Sequence, residues 1–109
     1  GWGRVVCMSP AIDPDFRRYG GATAYNISKM GMSMVAMGVA AEYKGKGIIA
    51  NTMWPATVIE SLAATNFQLG DRKNWRRATI IADATAGLCC ESIETTAIFC
   101  GDGGATDHW

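Results

Sequence analysis

The stretch from residue 24 to residue 43 limits the possible folds most, because it combines the length of a long helix with an almost wholly apolar middle. Only Gly31 and Gly38 interrupt it before residues 44–47 (Lys-Gly-Lys-Gly), and Thr23 stands where an N-cap residue is expected. A helix that is apolar nearly all the way round must be covered on more than one side. The chain's own sheet or a second subunit could provide that cover, and the two glycines share a face on which another backbone could approach closely.

Two short apolar runs flank this helix, one from Arg4 to Ser9 and one from Ile48 to Trp54. Such runs favour strands buried on both faces, and Pro55 ends the second because proline cannot donate a ladder hydrogen bond. A strand, a crossover helix and a strand form a right-handed βαβ unit with parallel strands. A helix over 79–90 and a strand over 96–100 would extend it, so the sequence predicts an α/β fold with about three parallel strands and crossover helices.

The segment from Ala56 to Arg77 has scattered apolar residues and no clean period, which indicates a partly helical covering loop or lid. It also carries four basic residues, for which we expect a solvated face rather than an anion site; these are Arg72, Lys73, Arg76 and Arg77.

Charge and hydropathy exclude several classes of partner. Ten basic residues balance ten acidic ones, so the chain has no net field that would attract nucleic acid. The longest nearly uncharged apolar run, 30–41, is much shorter than the roughly 20 residues needed to cross a bilayer. We therefore expect an intracellular, soluble protein with no membrane span, in a compartment that the sequence does not specify.

The cysteines do not form a recognisable metal site. Cys7, Cys89, Cys90 and Cys100 match neither a C-x-x-C pair nor a zinc-ligand spacing, and the one histidine is His108. We interpret the cysteines as structural and predict no metal.

Tyr25 and Lys29 stand four residues apart near the start of the long helix, so their side chains share one face. A phenol is ordinarily too weak an acid to exchange protons efficiently at neutral pH, but a nearby ammonium and the positive end of a helix favour its ionised form. Reduction of a carbonyl needs a proton at oxygen, and oxidation of an alcohol needs the reverse. The pair could therefore act in acid–base catalysis, although the same spacing also occurs by chance in structural helices.

Four motifs in order make the chain similar to the short-chain dehydrogenase/reductase family. Residues 24–29 (Ala-Tyr-Asn-Ile-Ser-Lys) resemble the family's active-site helix, and residues 4–9 (Arg-Val-Val-Cys-Met-Ser) resemble the strand that ends at its serine. Residues 49–55 (Ile-Ala-Asn-Thr-Met-Trp-Pro) resemble the strand before its nicotinamide-binding turn, and residues 100–104 (Cys-Gly-Asp-Gly-Gly) resemble the turn after its last core strand. The Trp-Pro-Ala-Thr sequence and the residues around Tyr25 favour one subgroup of this family.

The resemblance implies a Rossmann-like three-layer sandwich of which residues 1–109 form the C-terminal, catalytic part. It implies hydride transfer between a carbonyl or alcohol substrate and NAD or NADP, with NADP slightly favoured. Tyr25 would exchange the proton and Lys29 would bond the nicotinamide ribose. The turn after the second strand would bind the cofactor through Pro55, Ala56, Thr57 and Val58, with the backbone around Thr57 and Val58 against the carboxamide.

Two positions depart from the family's pattern. Ser9 precedes Tyr25 by sixteen residues, farther than the family's catalytic serine usually does, so it could contact substrate or simply end its strand and bond the loop backbone. Ala56 replaces a glycine that is usual after the proline. In addition, no glycine-rich pyrophosphate motif follows an early strand, so we expect the N-terminal dinucleotide-binding half to be absent and the isolated chain to be inactive.

Alternatives remain open. The chain could be a catalytically inactive remnant that acts as a dimerisation module through the helix over 24–43, and a homo-oligomer is expected in either case. A sugar-nucleotide epimerase shares the Tyr-x-x-x-Lys motif, but the Trp-Pro-Ala-Thr turn and the short C-terminus disfavour it. The apolar residues of the lid suggest a lipid-like substrate.

Overall fold

In the computed structural model of the chain, residues 1–9, 13–92, 94, 98–101 and 106–108 are described, the last two ranges by their backbone alone. This part of the chain contains four strands and three α-helices, in the order β-α-β-α-α-β-β. The strands are β1 (Gly3–Met8), β2 (Ile48–Trp54), β3 (Ile98–Gly101) and β4 (Thr106–His108). The helices are α1 (Thr23–Glu42), α2 (Leu62–Asn66) and α3 (Thr79–Cys90), and short 3₁₀ helices cover Phe16–Tyr19 and Arg72–Asn74.

The strands form one sheet in the order β1-β2-β3-β4, in which the first three are parallel. Met8 lies beside Met53 in the register of β1 and β2, so the two strands end together at one edge of the sheet. The chain enters α1 after this edge and returns to the opposite edge through Gly47. The three predicted parallel strands and the α/β fold class are thereby confirmed.

Helix α1 covers one face of the sheet. Its buried alanines, Ala36 and Ala40, pack on Ala50 of β2, with Cys7 and Val39 beside them. Small side chains on both surfaces let the helix backbone lie close to the strands, and removal of apolar area from water stabilises this contact.

Helix α3 covers the opposite face, because successive side chains of a strand point to opposite sides. Ala50 points toward α1, whereas Met53 points away from it and contacts Thr85 of α3, whose Oγ1 lies 3.3 Å from the Met53 sulfur. Helix, sheet and helix thus form three layers around β2, in which five of seven residues are buried.

Arg4 fastens the end of α3 to the sheet. Its guanidinium donates to Oδ1 of Asn51 at 2.8 Å and to the backbone carbonyls of Glu91 and Ser92 at 3.0 Å each. Glu91 is the C-cap residue of α3 and Ser92 follows it, and a cation near a helix C-terminus interacts favourably with the helix dipole. A side chain of β1 therefore fixes the two residues that immediately follow α3.

Some predicted boundaries differ from the structure. Thr23 is the first residue of α1 and Ala22 takes the N-cap position without a side-chain hydrogen bond, because Gly21, at φ +80°, turns the chain into the helix before Thr23. Strand β3 includes Gly101, which was predicted to lie in the following turn, and the antiparallel strand β4 was not predicted at all. Residues 96–97 of the predicted strand and 102–104 of the predicted turn lie outside the described residues.

The outer surface of α1 remains open in the described part of the chain. Ile27, Met34 and Val35 are 65%, 66% and 58% exposed, and a Cβ added at Gly31 or Gly38 would meet no atom within 4 Å. The sequence predicted that another backbone could lie close to these glycines, but no other segment of the described residues does so. In those residues, no helix combines the length and apolar character needed to traverse a membrane.

Candidate active site

Tyr25 and Lys29 lie at the edge of the sheet where β1 and β2 end. The ammonium of Lys29 is 5.7 Å from the centre of the Tyr25 ring and donates a hydrogen bond to the carbonyl of Met8 at 2.9 Å. Helix geometry puts the two side chains on one face, and the Met8 carbonyl fixes the amine at the strand end. The amine and the phenol ring are therefore neighbours.

The first concavity at this edge has a volume of about 530 Å³ and is mainly apolar. Its floor is the chain after β2, and α2 and the residues after it form one side; the lining includes Tyr25, Trp54, Pro55, Ala56, Thr57, Val58, Ala64 and Leu69. Tyr25 is 53% exposed, so its phenol is open to a molecule in this space. All four residues of the turn that was predicted to bind the cofactor line the same concavity as the predicted catalytic tyrosine.

A second concavity of about 350 Å³ lies against the same tyrosine. It is more polar than the first, because the loop before α1 contributes charged and hydroxyl groups; it is lined by Asp13, Arg18, Tyr19, Tyr25, Asn26, Lys29, Met30 and Trp54. Tyr25 and Trp54 line both concavities.

Hydrogen bonds hold the loop before α1 in place. The Tyr19 hydroxyl donates to the carbonyl of Asp13 at 2.7 Å and accepts from its backbone N–H at 2.8 Å. The side-chain amide of Asn26 then donates to the carbonyl of Tyr19 at 3.2 Å. Arg18 pairs with Asp13 at 3.2 Å on the rim.

Ser9 lies beneath the helix rather than in either concavity. Its side chain is fully buried, and its hydroxyl accepts a hydrogen bond from the hydroxyl of Ser33 at 2.9 Å. Its backbone N–H is bonded to the carbonyls of Cys7 and Met53. A contact between Ser9 and a substrate stays a prediction, and this geometry favours the alternative in which Ser9 ends the strand.

The lid segment is partly helical, as the sequence indicates. The Ser61 hydroxyl caps α2 by accepting the Ala64 N–H at 3.1 Å, and the Trp75 indole N–H donates to the carbonyl of Leu69 at 2.7 Å. Leu62 and Phe67 are 83% and 75% exposed. Arg72 and Lys73 are exposed and pair with neighbouring carboxylates of Glu60 and Asp71, as expected of a solvated basic face.

Sequence analysis missed the role of Trp54 at this site. Its ring centre lies 5.8 Å from the Lys29 ammonium, so the amine is within cation–π range of two aromatic rings. The sequence indicates this role only through the tryptophan itself, because the family more commonly has a small or aliphatic residue at this position before the proline. Among the described residues, no group of three or more histidine, cysteine, aspartate or glutamate side chains could hold a metal ion.

The chain is similar in sequence to proteins of one family. The chain is 33% identical over 96 residues to hydroxysteroid dehydrogenase-like protein 2 of Xenopus laevis, covering 87% of the chain and 23% of that protein. The human protein of the same name is 44% identical over 85 residues, covering 77% of the chain and 20% of that protein. No family model matches the sequence.

Among solved structures, a short-chain dehydrogenase of Mycobacterium thermoresistibile superposes with a TM-score of 0.77 at 26% identity, over 93% of the chain and 36% of that structure. The chain thus spans about a quarter of the length of the curated relatives that it matches and about a third of this structure. The chain belongs to the short-chain dehydrogenase/reductase family. The subgroup that its motifs indicate is the one that contains hydroxysteroid dehydrogenase-like protein 2.

Proposed function

We propose that this chain provides the proton-transfer residues of an oxidoreductase that moves hydride between a nicotinamide nucleotide and a carbonyl or alcohol. The observation that carries the proposal is the placement of Tyr25 beside Lys29 at the mouth of the concavity lined by residues 55–58. In this proposal Tyr25 gives a proton to the carbonyl oxygen during reduction and takes it from the alcohol during oxidation. Its exposure allows direct contact with the reacting oxygen.

The residues present fit a nicotinamide nucleotide. An ammonium has three N–H donors; the Met8 carbonyl takes one at 2.9 Å and the Met32 sulfur takes a second at 3.9 Å, which leaves one donor for a ribose hydroxyl. The apolar concavity offers surface for a flat ring, and Pro55, Ala56, Thr57 and Val58 would lie along it. When bound, the nucleotide supplies or accepts the hydride. NADP remains slightly favoured over NAD as an expectation.

The substrate class follows from the lining of the first concavity. Its walls are mainly apolar, and on one side they include Ala63 and Ala64 of α2 and Leu69 just after it. We propose a lipid-like aldehyde, ketone or alcohol, because burial of an alkyl chain against such walls is favourable by roughly 0.8 kcal/mol per methylene.

The decisive experiment compares Tyr25→Phe with Tyr43→Phe in the full-length protein. Both tyrosines lie at ends of α1 near a lysine, but Tyr43 is at the opposite end, with the Lys46 ammonium 5.4 Å from its ring. We expect Tyr25→Phe to lower kcat about 10²- to 10⁴-fold, the range typical of general acid–base catalysis, with nearly unchanged nucleotide affinity. Normal turnover in Tyr25→Phe, with a panel of alkyl aldehydes and alcohols, would refute the assigned role.

A separate proposal concerns the isolated 109-residue chain. We expect it to bind NAD(P)H weakly or not at all, because none of its motifs resembles a pyrophosphate-binding loop. Fluorescence titration tests this directly, and submicromolar binding would show the expectation to be wrong.

The alternative function is helix-mediated dimerisation, favoured by the exposed apolar surface of α1 around Met34. A second copy of the helix could cover this surface, with its backbone close to Gly31 and Gly38. Light scattering of Met34→Lys should show dissociation of a wild-type oligomer, whereas Phe67→Lys, at an exposed apolar residue outside α1, should leave it intact. A monomeric wild-type protein, or an oligomer unaffected by Met34→Lys, excludes this mode of association.

A further inference from the structure

Three elements meet at the nitrogen of Lys29. Its ammonium donates to the carbonyl of Met8 in β1 at 2.9 Å and lies 5.7 Å from the ring centre of Tyr25 and 5.8 Å from that of Trp54, the last residue of β2. Tryptophan is the best natural partner for a cation at such distances. The end of β2 therefore contributes an aromatic surface to the position of this amine.

An amine on four methylenes needs such contacts if it is to stay in one place. Fixing a lysine side chain costs up to about 2 kcal/mol of rotamer entropy. The ammonium has one short hydrogen bond, to the Met8 carbonyl at 2.9 Å, and one long hydrogen bond, to the Met32 sulfur at 3.9 Å. The long bond holds the side chain only weakly, so the attraction of the ammonium to the Trp54 ring, whose centre is 5.8 Å away, removes part of the remaining freedom.

The second concavity could accommodate the amine of Lys29 if the amine were displaced. Lys29 already lines this space together with the Asp13 carboxylate, and the Trp54 ring lines it as well. With a smaller residue at position 54, the space beside the amine would be larger, and the amine could move away from Tyr25 into the second concavity.

We propose that Trp54 is a positioning residue. Its indole ring, which lines both concavities, keeps the amine of Lys29 beside Tyr25. The effect on turnover rests on the proposed function, but the positioning itself belongs to the folded chain. It can be measured with neither nucleotide nor substrate present.

The first test is the rate of lysine modification by limiting acetic anhydride, measured peptide by peptide with mass spectrometry on the full-length protein. Trp54→Met keeps an apolar side chain and removes the aromatic ring, and Trp54→Phe restores a ring. We expect acetylation of Lys29 to be about 2- to 30-fold faster in Trp54→Met, the range that corresponds to typical cation–π energies. Trp54→Phe should return the rate most of the way toward that of the wild type.

A matched control is available at the other end of α1. Lys46 lies 5.4 Å from the Tyr43 ring centre, so Tyr43→Met removes an aromatic ring from another lysine. That variant should leave the acetylation rate of Lys29 unchanged, and Trp54→Met should leave that of Lys46 unchanged. Equal Lys29 rates in wild type and Trp54→Met, or equal rates in Trp54→Met and Trp54→Phe, would overturn the proposal.

A second measurement needs no substitution and so does not depend on whether a variant folds. Protons held over an aromatic face shift upfield, so the ε-methylene protons of Lys29 should resonate upfield of those of Lys44. They should also show nuclear Overhauser contacts to the Trp54 indole. Random-coil shifts without such contacts would contradict the geometry.

Kinetics separate this proposal from the proposed function. If both are correct, Trp54→Met raises the KM for the nucleotide with a smaller change in kcat, whereas Tyr25→Phe lowers kcat. If Tyr25→Phe keeps full turnover while Trp54→Met still exposes Lys29, the proton-transfer role fails and the positioning role stands. If Tyr25→Phe is inactive and Lys29 is not exposed by Trp54→Met, the positioning role fails alone.

Discussion

The hydroxyl of Ser33 donates a hydrogen bond to the hydroxyl of Ser9 at 2.9 Å, and both side chains are fully buried. This bond joins the middle of α1 to the residue that follows β1. Ser33 lies one helical turn beyond Lys29, on the same face of α1. The bond therefore fixes the helix against the strand end directly below the candidate active site.

Replacement of Ser33 by alanine should lower the free energy of unfolding by about 1–3 kcal/mol, since it leaves the buried hydroxyl of Ser9 without this partner. Urea denaturation of the full-length protein measures the loss. The double variant Ser9→Ala/Ser33→Ala should lose less than the sum of the two single variants, because the two hydroxyls act as one pair. Strict additivity would show that the hydroxyls do not interact.

Replacement of Arg4 by methionine should cost about 2–3 kcal/mol of unfolding free energy. It keeps an apolar stem of similar length but removes the charged donors to Asn51, Glu91 and Ser92. Hydrogen exchange should also show faster opening of the last turn of α3. The control is Arg17→Met, which breaks an exposed ion pair with Asp15 and should change the urea midpoint little.

Gly47→Ala should destabilise the protein more than Gly45→Ala. Both glycines have positive φ, +78° and +76°, so each alanine carries a backbone penalty of about 1–2 kcal/mol. A Cβ at residue 47 would also lie 2.6 Å from the backbone oxygen of Gly1, whereas residue 45 faces open space. The difference between the urea midpoints of the two variants measures the cost of the contact with Gly1. Equal midpoints would show that the segment around Gly1 moves aside freely.

The side-chain hydrogen bond from Arg17 holds the pKa of Asp15 below the usual aspartate value of 3.8, and the Arg17 backbone N–H and the charge of Arg18 act in the same direction. A carboxyl group with a depressed folded pKa stabilises the fold above its unfolded pKa, and this contribution is lost as the pH falls through the folded pKa. In an NMR titration, Arg17→Gln should raise the pKa of Asp15. The pKa of Asp71, which is lowered mainly by a hydrogen bond from Lys73, should not change.

Much of the fold could be predicted because the bounds of its helices and strands depend on residues that are close together in the sequence. Strand β2 and helix α3 have the predicted bounds, since glycine and proline delimit the first and an unbroken helical pattern defines the second. Strand β4 could not be predicted, because three residues are too few to show a period and their pairing partner is β3.

The candidate site was only partly predictable. The spacing of Tyr25 and Lys29 is set by the helix itself, so sequence alone places them together. The approach of Trp54 to Lys29 depends on how β2 ends relative to α1, and the burial of Ser9 depends on a hydroxyl that lies 24 positions later in the chain. Contacts of this kind follow from packing, which no local pattern encodes.

The guanidinium of Arg4 has a consequence for the way this chain folds. It binds the carbonyl of Glu91, 87 positions farther along the chain, so the segment that follows α3 is fixed to the sheet only when a residue from near the start of the chain has reached it. Such a contact is slow to form by diffusion, since a long loop must close first. The attachment of α3 to the sheet and the pairing of β1 with β2 should consequently be lost together on unfolding, in a single cooperative transition.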